Sequence, residues 1–555
     1  MTKRFPKLFI YLLSALFLLN IVQSFFTELI YDEAYYWYYA QDLAWGYFDH
    51  PPMVAFLAKI SSFFFDGELG VRFMGCILGV GTFLVLWQLI ASKEKHKHVP
   101  FFFVLLFSMP LLNAYGFLTL PDTPLLFFTA LFLLIYKKFL ERATIGISLA
   151  LGLVMAALMY SKYHAVLVIL FVFLSNVALI RNKFAWLAVA TALVCYLPHF
   201  AWLYNNDLVT IKYHLFERPN QPYSFEKFTL GYILNLVLVF GLLFPWVYWA
   251  LLKTKAKDRF KKALQFLAYG VILFFFLSSF NRRVQTQWII VICIPLAILT
   301  YEYFLSRPTP RKWIMRLGLT STAILLFARV GLVHEPLFPV VYETHGNKEW
   351  VNALEEKAGD IPVVFENSYR RAPMYAFYSG NTSYSLNNFH YRQNQYSIDD
   401  SEEKVQNRRV LYVTKYAKKG DISYTNARGT LFYGIFIDNF RSYRKLRCLV
   451  EDLPIDLQQD SLMVKVYNPY PHDIDLGNLT FHVAYLNAHK QLQESKKVAF
   501  SPLNGAIDRL KSNDTTYFRC KLKSPTMKDI EYIKFGISEF GLRPGINSSS
   551  YKLEP

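Results

Sequence analysis

Long apolar runs fill the first 335 or so residues and then stop; Leu8–Phe26, Phe101–Leu112 and Leu125–Ile135 are typical. At roughly 20 residues per crossing, the pattern predicts about eleven spans. They fall near 8–27, 70–91, 99–118, 123–137, 145–160, 163–180, 184–203, 228–251, 263–280, 288–305 and 317–334. Segment 53–65 is too short to cross and is closed by Asp66-Gly67-Glu68, which predicts a short helix at the interface. Gly75 and Gly79 give the second span a small face for close helix packing. Past Pro339 the apolar runs shorten. Ile361–Glu366 and Arg409–Thr414 read as strands around a helical Tyr369–Tyr378, a small α/β unit over 339–425. From about Thr430 onward, short alternating strands are separated by turns such as Asn468-Pro469 and Ser512-Asn513-Asp514. They predict a β-sandwich-like domain over 426–555. The fold class is a polytopic α-helical membrane protein over 1–338 with a C-terminal extracytoplasmic α/β plus β-sandwich region.

Composition agrees: 54% of the residues are hydrophobic, 18% aromatic and only 18% charged. The net charge of +18 invites a nucleic-acid reading. Much of that charge, however, lies in short loops between apolar runs, as in Lys253–Lys262 and Arg307–Arg316. That distribution is the topology signature of a membrane protein, and it argues against nucleic acid as a partner. The basic loops alternate with sparsely basic ones. With Lys3 and Arg4 before the first span, they predict a cytoplasmic N-terminus. An odd number of spans then puts the C-terminal region outside. Cys76, Cys195 and Cys293 read as small hydrophobes. Cys448 and Cys520 lie in the tail, as one disulfide or as two unrelated thiols.

The chemistry gathers on the outer side. Asp32 and Glu33 stand where the first span meets water, and Asp49-His50 precedes Pro51-Pro52. Adjacent carboxylates near lipid either mark a helix end or form a site. Asp122 follows in Pro121-Asp-Thr-Pro124, as a helix cap or a site residue. Lys162 and Tyr163 come from Ser161-Lys-Tyr-His164, and Lys162 either snorkels or binds. Arg218, Arg282 and Arg283 oppose the topology bias, which an anionic ligand or a headgroup contact explains. His199, beside Pro198, reads as a packed histidine. Basic groups suit a phosphate and a nearby carboxylate suits deprotonation of a hydroxyl, needs that a lipid-linked phosphate sugar meets together. A transporter or flippase would want its polar groups at mid-membrane. A membrane-anchored surface binding protein would not need so many spans.

Asp32-Glu33 followed by Tyr47-Phe-Asp-His-Pro-Pro52 resembles the first outer loop of protein O-mannosyltransferases. The layout also resembles bacterial aminoarabinose transferases, which carry Lys where this chain has His50. Pro121-Asp122 and Ser161-Lys162-Tyr163 look like recurring positions of bacterial members of glycosyltransferase family 39. The resemblance covers roughly residues 1–335. It implies a GT-C membrane fold, a polyprenyl-phosphate (undecaprenyl-phosphate) sugar donor and inverting transfer on the outer, periplasmic face of a bacterial inner membrane, with the C-terminal region on that face. The acceptor would be a glycolipid, glycan or protein at the bilayer. By the resemblance Asp32 is the base and Glu33 supports it or binds acceptor; Asp49 and His50 line the cavity, and Lys162 contacts the donor phosphate. No cofactor is required. If a divalent metal is used, Asp32, Asp49 and His50 are its expected ligands.

Overall fold

A computed structural model of the chain describes residues 5–554 other than Asp452, Gln458, Asp460 and Asn504. Lys3 and Arg4, used above for orientation, lie outside the described residues. The chain folds as two compact units. The first comprises residues 1–207 and 223–345; the second comprises 208–222 and 346–555.

The first unit is helical. In order it holds α1 (Lys7–Phe26), α2 (Tyr31–Gln41), α3 (Met53–Ser61), α4 (Gly67–Leu89), α5 (Val99–Phe107), α6 (Pro110–Ala114), α7 (Asp122–Glu141), α8 (Ile145–Ser161), α9 (Ala165–Leu174) and α10 (Lys183–Asn205). After the 208–222 excursion come α11 (Glu226–Lys253), α12 (Arg259–Ser278), α13 (Thr286–Leu305) and α14 (Pro308–Val333). Among the described residues, eight of these helices are long and apolar enough to cross a membrane: α1, α4, α7, α10, α11, α12, α13 and α14. The other three expected spans are also helical but shorter or broken. Helices α8 and α9 fall below 18 residues, and the expected span 99–118 is cut into α5 and α6. The cut has a local cause: proline disfavours the helical conformation in the residue before it, and Met109, before Pro110, is extended (φ −80°, ψ 112°). Segment 53–61 forms the short helix α3, as its length requires.

The small face of α4 does pack closely. A Cβ on Gly79 would lie 3.0 Å from the Gly116 Cα, and one on Gly75 would lie 2.3 Å from the Thr119 Oγ1. The turn that follows α6 is thereby pressed onto α4. This turn carries the chain to Asp122, so the packing places one wall of the site described below.

The second unit opens with helix α15 (Asn347–Ala358) and a five-stranded sheet made of β1 (Val363–Glu366), β2 (Ser383–Leu386), β3 (Arg408–Thr414), β4 (Ile422–Thr425) and β5 (Leu431–Phe440), in the order β2-β1-β3-β5-β4. Strand β1 runs parallel to β2 and β3, and helix α16 (Arg371–Ser379) connects β1 to β2. This corrects the expected boundary at 425/426. Leu431–Phe440 alternates like a sandwich strand but pairs antiparallel with β3, Leu411 opposite Phe436. Alternation reports a half-buried strand without saying which sheet receives it.

Beyond Phe440, two four-stranded sheets form the sandwich. One has the order β11 (Phe500–Pro502), β13 (Asp514–Cys520), β7 (Leu462–Asn468), β6 (Arg447–Leu449); the other has β10 (Leu492–Val498), β9 (Leu479–Leu486), β14 (Tyr532–Glu539), β15 (Tyr551–Lys552). A two-stranded piece, β8 (Ile474–Asp475) with β12 (Arg509–Leu510), completes it. Val464, Val466 and Phe518 of the first sheet share a core with Val483, Phe535 and Ile537 of the second. Cys448 and Cys520 are buried free thiols. They flank β7 on opposite sides, opposite Val466 and Leu462 respectively. Two strand spacings, about 9.5 Å, exceed the reach of a disulfide.

Segment 208–222 is a strap that leaves the first unit after α10 and folds with the second. Glu217 pairs with Lys534 (3.0 Å) and accepts from the Ser550 backbone N–H (3.1 Å) and hydroxyl (2.8 Å). Burial raises the Glu217 carboxyl, but Lys534, Lys490 and these hydrogen bonds outweigh it and hold the group below its usual value. Asp207 and Leu208, where the chain passes from one unit to the other, are both left-handed with φ 54°.

Candidate active site

The site is built on the first loop. Helix α2 begins at Tyr31, so Asp32 and Glu33 occupy its first turn, where carboxylates suit the helix dipole. Neighbours on a helix point about 100° apart, and the two acids meet different fates. Glu33 is fully buried. Arg72 donates to it through Nε (2.8 Å to Oε1) and Nη2 (2.5 Å to Oε2). The Thr119 N–H donates to Oε1 at 2.9 Å and the Ile30 N–H to Oε2 at 3.3 Å. Arg72 also donates to the backbone oxygens of Ser24 and Glu28. One buried ion pair thus ties the end of α1, the start of α2, α4 and the turn before α7. Glu33 has the place of a support, with no oxygen left open.

Asp32 is half-buried and makes no hydrogen bond or ion pair among the described residues. Asp32 and Asp122 both lie within electrostatic reach of the Tyr115 hydroxyl. Asp122 opens α7 and pairs with Lys162, Nζ to Oδ1 at 2.6 Å, both side chains at least nine-tenths buried. Lys162 caps the C-terminal end of α8. It neutralises Asp122, and two of its three N–H groups remain after that bond.

Asp49 and His50 form a second cluster. His50 Nδ1 lies 3.0 Å from Asp49 Oδ1, which also accepts from the Tyr39 hydroxyl at 2.7 Å. The Tyr36 hydroxyl stands 3.5 Å from His50 Nε2. Tyr36 and Tyr39 lie three positions apart on α2 and so share the face toward this cluster, and Tyr47 stacks on Tyr39 with centroids 4.1 Å apart. Burial, then the Asp49 charge, pushes the Tyr39 phenol well above its usual value, so it stays a neutral donor. Among the described residues no three His, Cys, Asp or Glu side chains are grouped to hold a metal ion. Asp32, Asp49 and His50 are therefore not assembled as a ligand set.

Tyr163 donates to or accepts from His199 Nε2 (3.2 Å), whose Nδ1 lies 2.6 Å from the Trp45 carbonyl. His199 is packed with both nitrogens engaged, and through it Tyr163 is joined to the first loop. His164 stacks near Trp288, centroids 5.3 Å apart. This contact brings the end of Asn281–Trp288 to the Lys162 loop, while Asn235 holds the same segment through Val284 and Thr286. Arg282 is half-exposed and Arg283 exposed on that segment. Arg218 lies on the 208–222 strap, which belongs to the second unit. Sequence reasoning passed over Arg72 and Arg329. Arg329 is buried in α14, donating to Asn113 (2.8 Å) and Asn20 (3.0 Å). A lone arginine inside an apolar run was the signal available for both.

The helical unit has the GT-C membrane fold. The family model for dolichyl-phosphate-mannose-protein mannosyltransferases matches residues 49–202, from Asp49 through the Asp122–Lys162 pair to His199. The lipid A galacturonosyltransferase RgtD of Rhizobium johnstonii is 25% identical over 327 residues, 56% of this chain and 68% of the relative. The crystal structure of ArnT from Cupriavidus metallidurans in the apo state superposes with TM-score 0.58 at 14% identity, covering 77% of this chain and 97% of that one. ArnT bound to undecaprenyl phosphate gives 0.54 at 13% identity over the same shares. The chain is a multi-pass membrane glycosyltransferase of the GT-C fold, similar to glycosyltransferase family 39.

Proposed function

We propose that the chain transfers a sugar from a polyprenyl-phosphate donor to an acceptor hydroxyl, with Asp32 as the base and inversion at the anomeric carbon. The observation that carries this is the unequal state of the acids around the first loop. Glu33, Asp49 and Asp122 are each bonded to a partner, while Asp32 is half-exposed and unengaged. The acceptor oxygen bonds to the anomeric carbon as the carbon–phosphate oxygen bond breaks, and Asp32 takes the hydroxyl proton. The leaving group is the polyprenyl phosphate, whose growing charge meets Lys162, held in place by Asp122. His50, oriented by Asp49, supplies a further donor. Arg282 and Arg283 add positive charge on the segment that Trp288 joins to the Lys162 loop. These groups balance a monophosphate without a metal ion.

The undecaprenyl phosphate named in the ArnT complex supports the donor class, and the relative named for lipid A supports a glycolipid acceptor ahead of a glycan or a protein. The alternating basic loops support a cytoplasmic N-terminus, with Asp32 and the second unit on the periplasmic face of the inner membrane. The test uses the purified protein in vesicles with a pool of polyprenyl-phosphate sugars and an envelope lipid extract, products being read by mass spectrometry. A glycolipid gaining one sugar mass, undiminished by excess EDTA, is expected. No transfer from any donor would refute the reading, and transfer abolished by EDTA and restored by a divalent ion would refute the metal-free step.

A further inference from the structure

The second unit carries a feature the transfer reaction does not use. Its five-stranded sheet begins β2-β1-β3, with β1 parallel to both neighbours. The chain goes from β1 to β2 on one side, then crosses to β3 on the other. In open α/β sheets of this order, ligands sit outside the carboxyl ends of the strands at that reversal. Here Glu366 ends β1 and Thr414 ends β3, and the Thr414 hydroxyl donates to the Glu366 carboxylate. Asn388, after β2, donates to Glu366 at 2.8 Å, and Arg543 Nε pairs with it at 3.3 Å. Asn367, next after β1, is left-handed with φ 57°.

Basic side chains follow each of these carboxyl ends. Arg370 and Arg371, where α16 begins, follow β1; His390 and Arg392 follow β2; Lys415, Lys418 and Lys419 follow β3. The loop after β2 also carries Asp399, Asp400, Glu402 and Glu403 beyond Arg392. The loop after β3 holds Asp421, whose Oδ2 accepts from the Phe436 N–H at 2.8 Å. Three guanidinium groups are laid on aromatic rings: Arg371 on Phe432 (4.1 Å), Arg392 on Tyr369 (4.3 Å) and Arg543 on Tyr416 (4.6 Å). Stacking fixes the plane of a guanidinium and so the direction of its N–H groups; Arg392 also donates to the Tyr213 hydroxyl at 2.9 Å. Tyr391 packs on Tyr369 with centroids 6.2 Å apart, and Arg392 lies on the same Tyr369 ring, so the turn carrying Arg370 and the loop carrying Arg392 lie together. Burial and then Arg543 hold the His390 imidazole below its ordinary value, which places His390 beside Arg543. Within this edge Glu366 is the buried counter-charge, and it already has partners.

We infer that the carboxyl edge of β1, β2 and β3 binds a phosphate-bearing saccharide, with Arg370, Arg371, Arg392 and Arg543 around the phosphate. A bare anion would not need three loops, and Tyr416, 45% exposed with Arg543 on its ring, offers an aromatic surface for a sugar. The site is made wholly of residues of the second unit and does not depend on Asp32.

The test is calorimetric titration of the full-length protein in detergent with glucosamine 1-phosphate, beside inorganic phosphate and glucosamine. Glucosamine 1-phosphate is expected to bind and glucosamine alone not to bind. Arg371→Gln should weaken binding tenfold or more. Lys418→Gln with Lys419→Gln, exposed residues whose loss leaves the core untouched, should weaken it about threefold. Lys162→Met in the membrane unit should bind as the wild type does. Equal binding by wild type and both second-unit variants, or loss of binding in Lys162→Met, would overturn the site. Inorganic phosphate binding as tightly as the sugar phosphate would overturn the saccharide half of the inference.

Discussion

Glu33 and Asp32 are neighbours in opposite states, and Arg72 makes the difference: it pairs with buried Glu33, while Asp32 is half-exposed. A buried carboxylate facing a buried guanidinium costs about 3–5 kcal/mol when one partner is removed, because the other charge is left unpaired. Glu33→Gln and Arg72→Met should each lower the thermal unfolding midpoint in detergent and lose activity together with fold. In the double variant much of the loss should return. Additive losses in this cycle would show that the pair does not act as a unit. At this scale the motif was legible: Asp-Glu at the end of an apolar run, then Asp-His-Pro-Pro, pointed to the loop in which Glu33 pairs with Arg72 and Asp49 with His50. That only Glu33 of the two acids is paired was not legible, since Arg72 lies 39 positions from Glu33. Arg72 and Arg329 look in sequence like exceptions within apolar runs, and only the packing of α1, α4 and α14 shows what they hold.

Among elements, the contact between α4 and the turn after α6 positions Asp122 and supplies the Thr119 N–H to Glu33. Gly79→Val should force that turn away, since its Cβ meets backbone rather than a side chain that can move. Overpacking of this kind typically costs about 1–3 kcal/mol. Gly146→Ala, where a Cβ meets nothing within 4 Å, should leave the unfolding midpoint within a degree or two or raise it slightly. Equal effects from the two changes would contradict the packing account. The small face of α4 could be read from Gly75 and Gly79, whereas its partner could not, because Gly116 sits in a turn without helical spacing. The broken α5–α6 had its signal in Pro110, but an apolar run of sufficient length concealed the break. The strand Leu431–Phe440 went to the other sheet because alternation is the same in both.

Across the whole molecule, two units with different solvents share one chain, and their responses to pH should differ. In the second unit Glu402, Glu539 and Arg444 are buried together. The Tyr470 and Ser442 hydroxyls donate to Glu402, and Arg444 Nε lies 3.1 Å from Glu539. Burial pushes Glu402 up and raises Glu539 to about 7, against the pull of Arg444. A group with a folded value above its unfolded one binds its proton more tightly in the fold. The stability it contributes is full below about pH 4.5 and is lost as pH rises through about 7. The second unit of the full-length protein should become more protease-sensitive between pH 5 and 8, by on the order of 2–3 kcal/mol. Glu539→Gln should flatten that slope, and an unchanged slope would show that another group sets it. The division into a membrane part and a β-rich tail was plain from where the long apolar runs end. The strap at 208–222 was not, because a loop between two spans gives no sign in sequence that it folds with a domain more than a hundred residues away. The most direct test of the central claim is the rate of sugar transfer by Asp32→Asn, measured beside donor binding in the same vesicles. The account predicts a loss on the order of 10²–10⁴-fold in rate with donor affinity within a few-fold of wild type; transfer at the wild-type rate would show that Asp32 is not the base.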